Sequence, residues 1–297
     1  MNLYIVESPL QLLCAYEAIQ IEDQNEYYLL IRQTGRGSND QHLLTCAKKL
    51  GLTYDLITIR TDRVIFDLLK NIFFLIKILS KSYNKTYFGS YYSSFLKLIR
   101  KFSRQKEIFY LDDGAATLRA QQEIVQSNSI RVNWFTFFEI QAIEGQDIVH
   151  HNFNNLRDKV IKKKKEGHFF IGQPVEHMIG YSVEDYINCV SFAAQQCIES
   201  GPLIYIPHRV ENIKHIAKIE NLKILYLNMP VELYFLLEAR NFPKRVYSCY
   251  STALFSLSKI LYKVDIYALY YRQINSKEIK VVYEGMNEIG VQVVQVK

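Results

Sequence analysis

The sequence predicts an α/β protein of two domains, each built on a parallel sheet. Three observations predict it. Short apolar runs alternate with helix-length stretches from the first residues onward, the pattern of strand, crossover helix and next strand. Between 143 and 167 that alternation lapses into polar residues, where Asn152, Asn154 and Asn155 precede the run Lys162 to Lys165. It then resumes, and 297 residues suit two cores of ordinary size better than one small core. The boundary is set at 160, giving domains 1–160 and 161–297.

In the first domain Leu3-Tyr4-Ile5-Val6 reads as a buried strand, because it is an unbroken apolar run. Residues 11–19 have helical spacing, and 26–32 form a second strand that closes on a Gly35-Arg36-Gly37 loop. A helix over 42–50 and a strand over 56–59 lead into a long helix from about 64, rich in Ile, Leu and Phe. A strand over 86–88, a helix over 92–102 and a strand over 107–111 follow, the last ending in Asp112-Asp113-Gly114. The second domain reads as strand 169–172, helix 183–199, strand 203–207, helix 211–220, strand 223–227, helix 231–240, strand 245–248, helix 251–261 and strand 264–268. No internal repeat or low-complexity tract competes with this order.

Composition narrows the function classes. Hydrophobic residues at 49% and charged residues at 22% are those of a globular protein, which excludes extended disorder. The 22 Tyr and 17 Phe belong mainly to cores and sheet faces, with some Tyr lining a polar cleft. A net charge of +6 suits anionic ligands or an anionic lipid surface, with Lys77, Lys81, Lys85, Lys97, Arg100, Lys101, Arg104 and Lys106 clustered in the first half. The basic residues are not interleaved with aromatics in a recognised module, so nucleic acid is not an expected partner. Cys14, Cys46, Cys189, Cys197 and Cys249 are scattered without metal-ligand spacing, which argues against structural zinc and against a disulfide framework. The N-terminus enters a strand at once without a signal-peptide pattern, so the expected location is the cytoplasm. Residues 64–79 are interrupted by Asp67, Lys70 and Lys77 and fall short of the roughly 20 apolar residues of a spanning helix. A buried or amphipathic helix is expected there, with peripheral contact with the inner membrane as the alternative.

The chemistry-bearing motifs stand at strand ends. Gly35-Arg36-Gly37 lacks the third glycine of a dinucleotide fingerprint, and no P-loop is present. Asp112-Asp113-Gly114 closes a strand where a carboxylate projects, or where a turn is capped. The Gly172-Gln173-Pro174 turn presents Glu176, a carboxylate suited to act as general base. Pro207-His208-Arg209 joins a stiff turn, an imidazole and a permanent cation suited to phosphate or carboxylate. Glu232 follows Pro230 at a helix start, where it accepts from ribose hydroxyls or complements the helix N-terminus. Ser251 and Thr252 open a helix whose amides suit a phosphate.

In this order these segments resemble the bacterial sialyltransferases of glycosyltransferase family 52, the lipooligosaccharide sialyltransferase family. The resemblance covers most of the chain and rests on the ordered set of Ser8-Pro9-Leu10-Gln11-Leu12-Leu13, Asp112-Asp113-Gly114, Gly172-Gln173-Pro174, Pro207-His208-Arg209, the Glu232 segment and Ser251-Thr252-Ala253-Leu254. It implies a GT-B fold, two Rossmann-like domains facing across a cleft, with the acceptor on the N-terminal domain and the donor on the C-terminal one. It implies inverting, metal-independent transfer of sialic acid or a related nonulosonic acid from its CMP donor to a bacterial surface glycan, lipooligosaccharide or capsule. The CMP-sugar is then a co-substrate, and no cofactor is expected.

In that family the acidic residue just after the Gly-x-Pro turn is the proposed base and the histidine of the Pro-His motif the proposed acid. Here Val175 follows Pro174 and the acid falls one residue later, at Glu176, while His208 fills the acid's place. Related sialyltransferase families use the Asp-Asp-Gly carboxylate, which makes Asp112 and Asp113 rivals for the base. Gly172, Gln173, Pro207 and Arg209 line the donor side, with Ser251 and Thr252 at the CMP phosphate and Glu232 at the cytidine ribose. Transfer of pseudaminic or legionaminic acid is the alternative within the enzyme class. A non-catalytic glycan-binding assembly protein with a GT-B shell is the alternative outside it, and a homodimer stands as an open expectation.

Overall fold

The computed structural model of the chain describes residues 1–22, 26–127, 132–158, 164–178, 180–261, 263–272 and 276–296. It divides into two compact units, Met1–Asn155 and Leu156–Lys297. Lys162 and Lys163 of the lysine run, and with them the expected boundary at 160, lie outside the described residues.

The first unit runs β1 (Asn2–Val6), α1 (Pro9–Ile21), β2 (Tyr27–Gln33), α2 (Gly37–Lys49), β3 (Asp55–Thr58), α3 (Val64–Lys70), α4 (Ile72–Leu79), β4 (Ser82–Phe88), α5 (Ser94–Phe102), β5 (Arg104–Leu111), α6 (Ala115–Ser127), β6 (Asn133–Thr136) and β7 (Ile148–His150). Its strands pair in the order β3-β2-β1-β4-β5-β6-β7, all in parallel. Ser8 starts α1 by accepting a hydrogen bond from the Gln11 amide, with Pro9 at the first position, where a missing N–H is no loss. Alternation along β1 sends Leu3 and Ile5 into a core with Leu75, Ile78, Phe95, Ile99 and Ile124 from α4, α5 and α6. Tyr4 turns the other way, stacking on Tyr87 at 4.6 Å, and Tyr87 stacks on Phe109 at 5.3 Å. These are register partners across β1, β4 and β5, so parallel pairing itself lines the rings up.

After α7 (Asn154–Asp158) at the boundary, the second unit runs β8 (His168–Ile171), α8 (Val183–Gln195), β9 (Leu203–Ile206), β10 (Leu222–Ile224), α9 (Val231–Leu233), β11 (Arg245–Ser248), α10 (Ala253–Ile260), β12 (Asp265–Tyr270), α11 (Lys277–Glu288) and β13 (Gln292–Gln295). The strands are again parallel, in the order β10-β9-β8-β11-β12-β13. The aromatic pairing recurs, Phe170 on Tyr205 at 5.5 Å and Tyr247 on Tyr267 at 5.1 Å, each pair in register. A capping box starts α8, in which Ser182 and Asp185 each bond the other's backbone amide.

Both sheets start at their centre, add strands to one side and then return to the other. The strand order therefore reverses between β1 and β4 and between β8 and β11, and ligands of such sheets bind at the carboxyl ends of the strands beside that reversal.

The sequence reading differs from the structure in a few elements. The single helix expected from 64 is two, α3 and α4, because Asn71 leaves the helical region and its side-chain amide bonds the Asp67 carbonyl at 2.7 Å. The helix expected over 211–220 does not form beyond one 3-10 turn, Ile216–Lys218, because Glu211 is drawn back toward β9 by its own hydrogen bonds. The helix expected over 231–240 is α9 followed by π-helical Tyr234–Glu238. Unanticipated are α6, β6, β7, α7, α11 and β13; β6, β7, α7 and β13 are too short to carry a period, whereas α11 does show helical spacing, with Ile279, Tyr283 and Met286 buried on one face.

At the first reversal, Gly89 follows β4 and its amide donates to the Ile5 carbonyl at 2.8 Å. A Cβ there would overlap the Gln11 side-chain oxygen and lie 2.7 Å from its Cδ and 3.1 Å from the Ile5 carbonyl. Gly89→Ala is therefore expected to expel the Gln11 amide and destabilise the protein by about 1–3 kcal/mol. The check is the urea midpoint, which a tolerated substitution would leave unchanged.

Candidate functional site

At the carboxyl edge of the second sheet a chain of hydrogen bonds ties β8 to β9. The Gln173 amide donates to the Tyr186 hydroxyl at 2.8 Å, and the Tyr186 and Tyr205 hydroxyls lie 2.8 Å apart. The Tyr205 hydroxyl donates to one Glu211 oxygen, and the His208 amide donates to the other at 2.8 Å. When Glu211 is ionised the Tyr205 hydroxyl donates to it, which leaves Tyr186 as the donor between the two phenols. Burial raises both phenols well above the ordinary tyrosine range, so both hydroxyls keep their protons. Gly172 is a glycine because a Cβ would lie 2.7 Å from the Tyr205 hydroxyl and overlap the Glu211 carboxylate.

Glu211 is a site residue that sequence reasoning misses, because its segment has the spacing of a helix start. Burial pushes its carboxyl up to about 7, against hydrogen bonds from Tyr205 and the His208 amide, and the nearby charge of Glu176 adds to the rise. A polar residue three positions after a Pro-His turn was the available signal, and it is indistinguishable in sequence from a helix cap.

The expected donor-side residues fall around this chain. Glu176 is exposed on the 3-10 turn Val175–His177, which follows Pro174. His208 is half-buried after β9, and its Nδ1 takes a long 3.5 Å contact from the Val210 amide. Pro207 is half-buried and Arg209 exposed in the same turn. Gln173 is buried, and its side-chain oxygen accepts from Ser248 at 3.4 Å. Thr252 stands at the N-cap of α10 with its side chain making no capping bond, just after β11 and half-buried Ser251. Glu232 is buried, accepts from the Ser256 hydroxyl at 2.6 Å, and is raised in pKa by that burial. The α9 to α10 packing that this bond serves is a structural use of Glu232.

The first sheet has its own polar edge. The Gln11 side-chain oxygen accepts from the Glu7 amide at 2.7 Å, and its nitrogen donates to Asp113 at 2.7 Å. The first and second segments of the motif set, 102 residues apart, thus meet at the reversal between β1 and β4. Asp113 is half-buried; burial raises its carboxyl, while bonds from Gln11 and Ser90 oppose the rise. Glu7, which the sequence reading did not single out, pairs with Arg32 at 2.6 Å and accepts from Ser93 at 2.8 Å.

Asp112 differs sharply from its neighbour. It is fully buried, accepting from Thr136 at 2.7 Å and from the Phe137 amide at 2.7 Å, and burial pushes it up to about 7. Cys14 and His151 gather with it, their ligand atoms all within 4.8 Å, a juxtaposition that spacing in sequence did not reveal. The His151 ring stacks on Phe135 at 4.5 Å, so this cluster lies within the aromatic packing of the unit. The cysteines among the described residues are buried and form no disulfide.

Two successive Rossmann-like parallel sheets with helical crossovers define the GT-B class of fold, as the sequence resemblance implied. Solved structures of similar fold include E. coli heptosyltransferase WaaC with ADP, at 10% identity and a TM-score of 0.50, over 99% of this chain and 93% of that one. UDP-GlcNAc 2-epimerase from Neisseria meningitidis bound to UDP-GlcNAc is similar at 8% identity and 0.54, over 100% and 88%. Arabidopsis thaliana UGT89C1 complexed with UDP-L-rhamnose is similar at 10% identity and 0.52, over 99% and 85%. No family model matches the chain, and no curated protein matches it.

The raised Glu211 carboxyl has a thermodynamic consequence. The folded state holds this proton up to about pH 7, whereas an unfolded glutamate releases it near 4.5, so its contribution to stability falls as pH rises through that window. Relative to Glu211→Gln, which cannot titrate, the parent protein is expected to lose on the order of 2 kcal/mol between pH 5 and 7.5. Urea unfolding at both pH values measures this, and a pH-independent difference would show that Glu211 ionises normally.

Proposed function

We propose that the protein is a nucleotide-sugar-dependent glycosyltransferase whose second unit holds the donor. The observation that carries this reading is the convergence of His208, Glu211, Glu176 and the Thr252 helix start on the carboxyl ends of β8, β9 and β11. That is the edge where a doubly wound sheet receives a nucleotide. A GT-B fold is consistent with it, and the ordered motif set supports CMP-activated sialic acid, or another nonulosonic acid, as the donor.

In the proposed reaction an acceptor hydroxyl gives its proton to a carboxylate and its oxygen attacks the anomeric carbon. The bond from that carbon to the CMP phosphate oxygen breaks, and CMP leaves. His208 neutralises or protonates the departing phosphate, Ser251, Thr252 and the amides of α10 hold it, and Arg209 offers a further cation. Gly172, Gln173 and Pro207 shape the donor side, while Glu232, buried and bonded to Ser256, supports the start of α10 beneath the phosphate instead of meeting the ribose itself. Glu211 touches no substrate here; it anchors the His208 backbone and so positions the acid. For the base, Asp113 and Glu176 are both accessible to solvent, whereas Asp112 has its oxygens engaged within the core. The acceptor is a bacterial surface glycan.

The decisive experiment supplies the purified protein with CMP-sialic acid, CMP-pseudaminic acid or CMP-legionaminic acid and a galactose-terminated acceptor. CMP release with at least one donor is expected. Absence of any CMP-sugar binding by calorimetry overturns the donor assignment, and conversion of UDP-GlcNAc without an acceptor would replace transfer by epimerisation. His208→Ala is expected to lower kcat about 10²–10⁴-fold while leaving the circular dichroism spectrum unchanged. Of Asp113→Asn and Glu176→Gln, the base variant is expected to lose activity on that same scale, and the other only a few-fold.

A further inference from the structure

The outer surface of α3 and α4 is apolar where a helix packed on a sheet ordinarily shows water its charged side. Ile65, Phe66, Leu69, Ile72, Phe73 and Ile76 are all exposed, Phe73 by 85% and Ile65 by 78%. Residues 65, 66 and 69 on α3 and 72, 73 and 76 on α4 repeat one i, i+1, i+4 pattern, so each helix exposes an apolar stripe. The opposite side of the same helices, through Leu68, Leu75 and Ile78, is packed on the sheet core. The helices are therefore apolar on two sides, and only one side is used for folding. Six large side chains exposed to this degree exceed the apolar patches that monomeric proteins ordinarily leave in water.

Cations border the stripe. Arg63, Lys70 and Lys77 are exposed on or next to the two helices. α5, whose Phe95 and Ile99 enter the same core as Leu75 and Ile78, adds exposed Lys97 and Lys101 on the same side of the sheet. The acidic residue within α3 and α4, Asp67, is turned inward and held by Arg60 at 2.8 Å. Exposed Asp62, 3.7 Å from Arg63, is the nearby acid in sequence.

We propose that this face docks on an anionic lipid bilayer, with Phe66, Leu69, Phe73 and Ile76 among the acyl chains and Lys70 and Lys77 at the level of the lipid phosphates. Helices of 7 and 8 residues broken at Asn71 are too short to span, and among the described residues no helix is long and apolar enough to cross a membrane. An apolar stripe rimmed by lysines instead lies in the interface, where burial and charge act together. A second copy of the chain is the poorer occupant, because a two-fold contact through this stripe brings its cationic rims against each other. The inference goes beyond the proposed reaction and does not depend on which donor is used.

The test is co-sedimentation of the full chain with vesicles of phosphatidylcholine alone or mixed with phosphatidylglycerol, together with a Phe73→Trp reporter. Binding to the anionic vesicles is expected, with a blue-shifted reporter emission and weakening at high salt. Phe66→Ser with Phe73→Ser is expected to lower the partition coefficient about tenfold or more, the effect of losing even one well-buried aromatic. CMP-sugar binding by that double variant should equal the parent's, which separates a failed docking surface from a failed donor assignment. Unshifted reporter emission with anionic vesicles overturns the proposal. So does a parent dimer in sedimentation that the double variant converts to monomer, since that would show the stripe covered by a second copy.

Discussion

Everything chemical in this protein depends on where each parallel sheet reverses its strand order. Crossovers leave the strands on either side of β1 and β4, and of β8 and β11, in opposite directions, so no connection closes over the carboxyl ends there. The loops that follow those strands must then satisfy their own backbone groups without a neighbouring ladder. They do so with side chains, and those side chains are the candidate site. Gln11 serves the Glu7 amide and Asp113 at the first reversal, and Tyr186 and Glu211 serve the Gln173 and His208 amides beside the second.

This arrangement couples precision to electrostatics. A carboxylate used to order a loop must be drawn partly out of water, and burial raises its pKa. Glu211 and Asp113 both show that rise while remaining only half-buried. Asp112 shows the extreme, fully buried with its oxygens bonded to Thr136 and the Phe137 amide, and so belongs to the fold more than to the surface. Two adjacent aspartates in one motif thus divide into a structural residue and an accessible one. The glycines at 89 and 172 make room for the ordering side chains and are part of the same device.

The aromatic content has a matching explanation. Register in a parallel sheet sets like positions side by side, and the stacks of Tyr4, Tyr87 and Phe109, of Phe170 with Tyr205, and of Tyr247 with Tyr267 follow those registers. Tyr205 combines the two themes, its ring in a stack and its hydroxyl in the chain that reaches Glu211. The tyrosines therefore act mainly as sheet-face residues, with Tyr186 and Tyr205 carrying that packing to the polar edge.

The sequence by itself determined the α/β class, most of the strands and the strand-end positions of Asp113, Glu176, His208 and Thr252. Those features are local: apolar runs, helical spacing and turn residues act through neighbours in the chain, and β11 appears where its run of residues places it. Only the tertiary structure decided that Glu211 leaves the helix its spacing suggested, that α3 and α4 part at Asn71, that Asp112 is sealed while Asp113 is not, and that the outer stripe of 64–79 faces water. The physical reason is the same in each case. Burial and hydrogen bonding depend on partners distant in sequence, such as Gln11 for Asp113 and Thr136 for Asp112, and no periodicity within a segment records which partner will arrive.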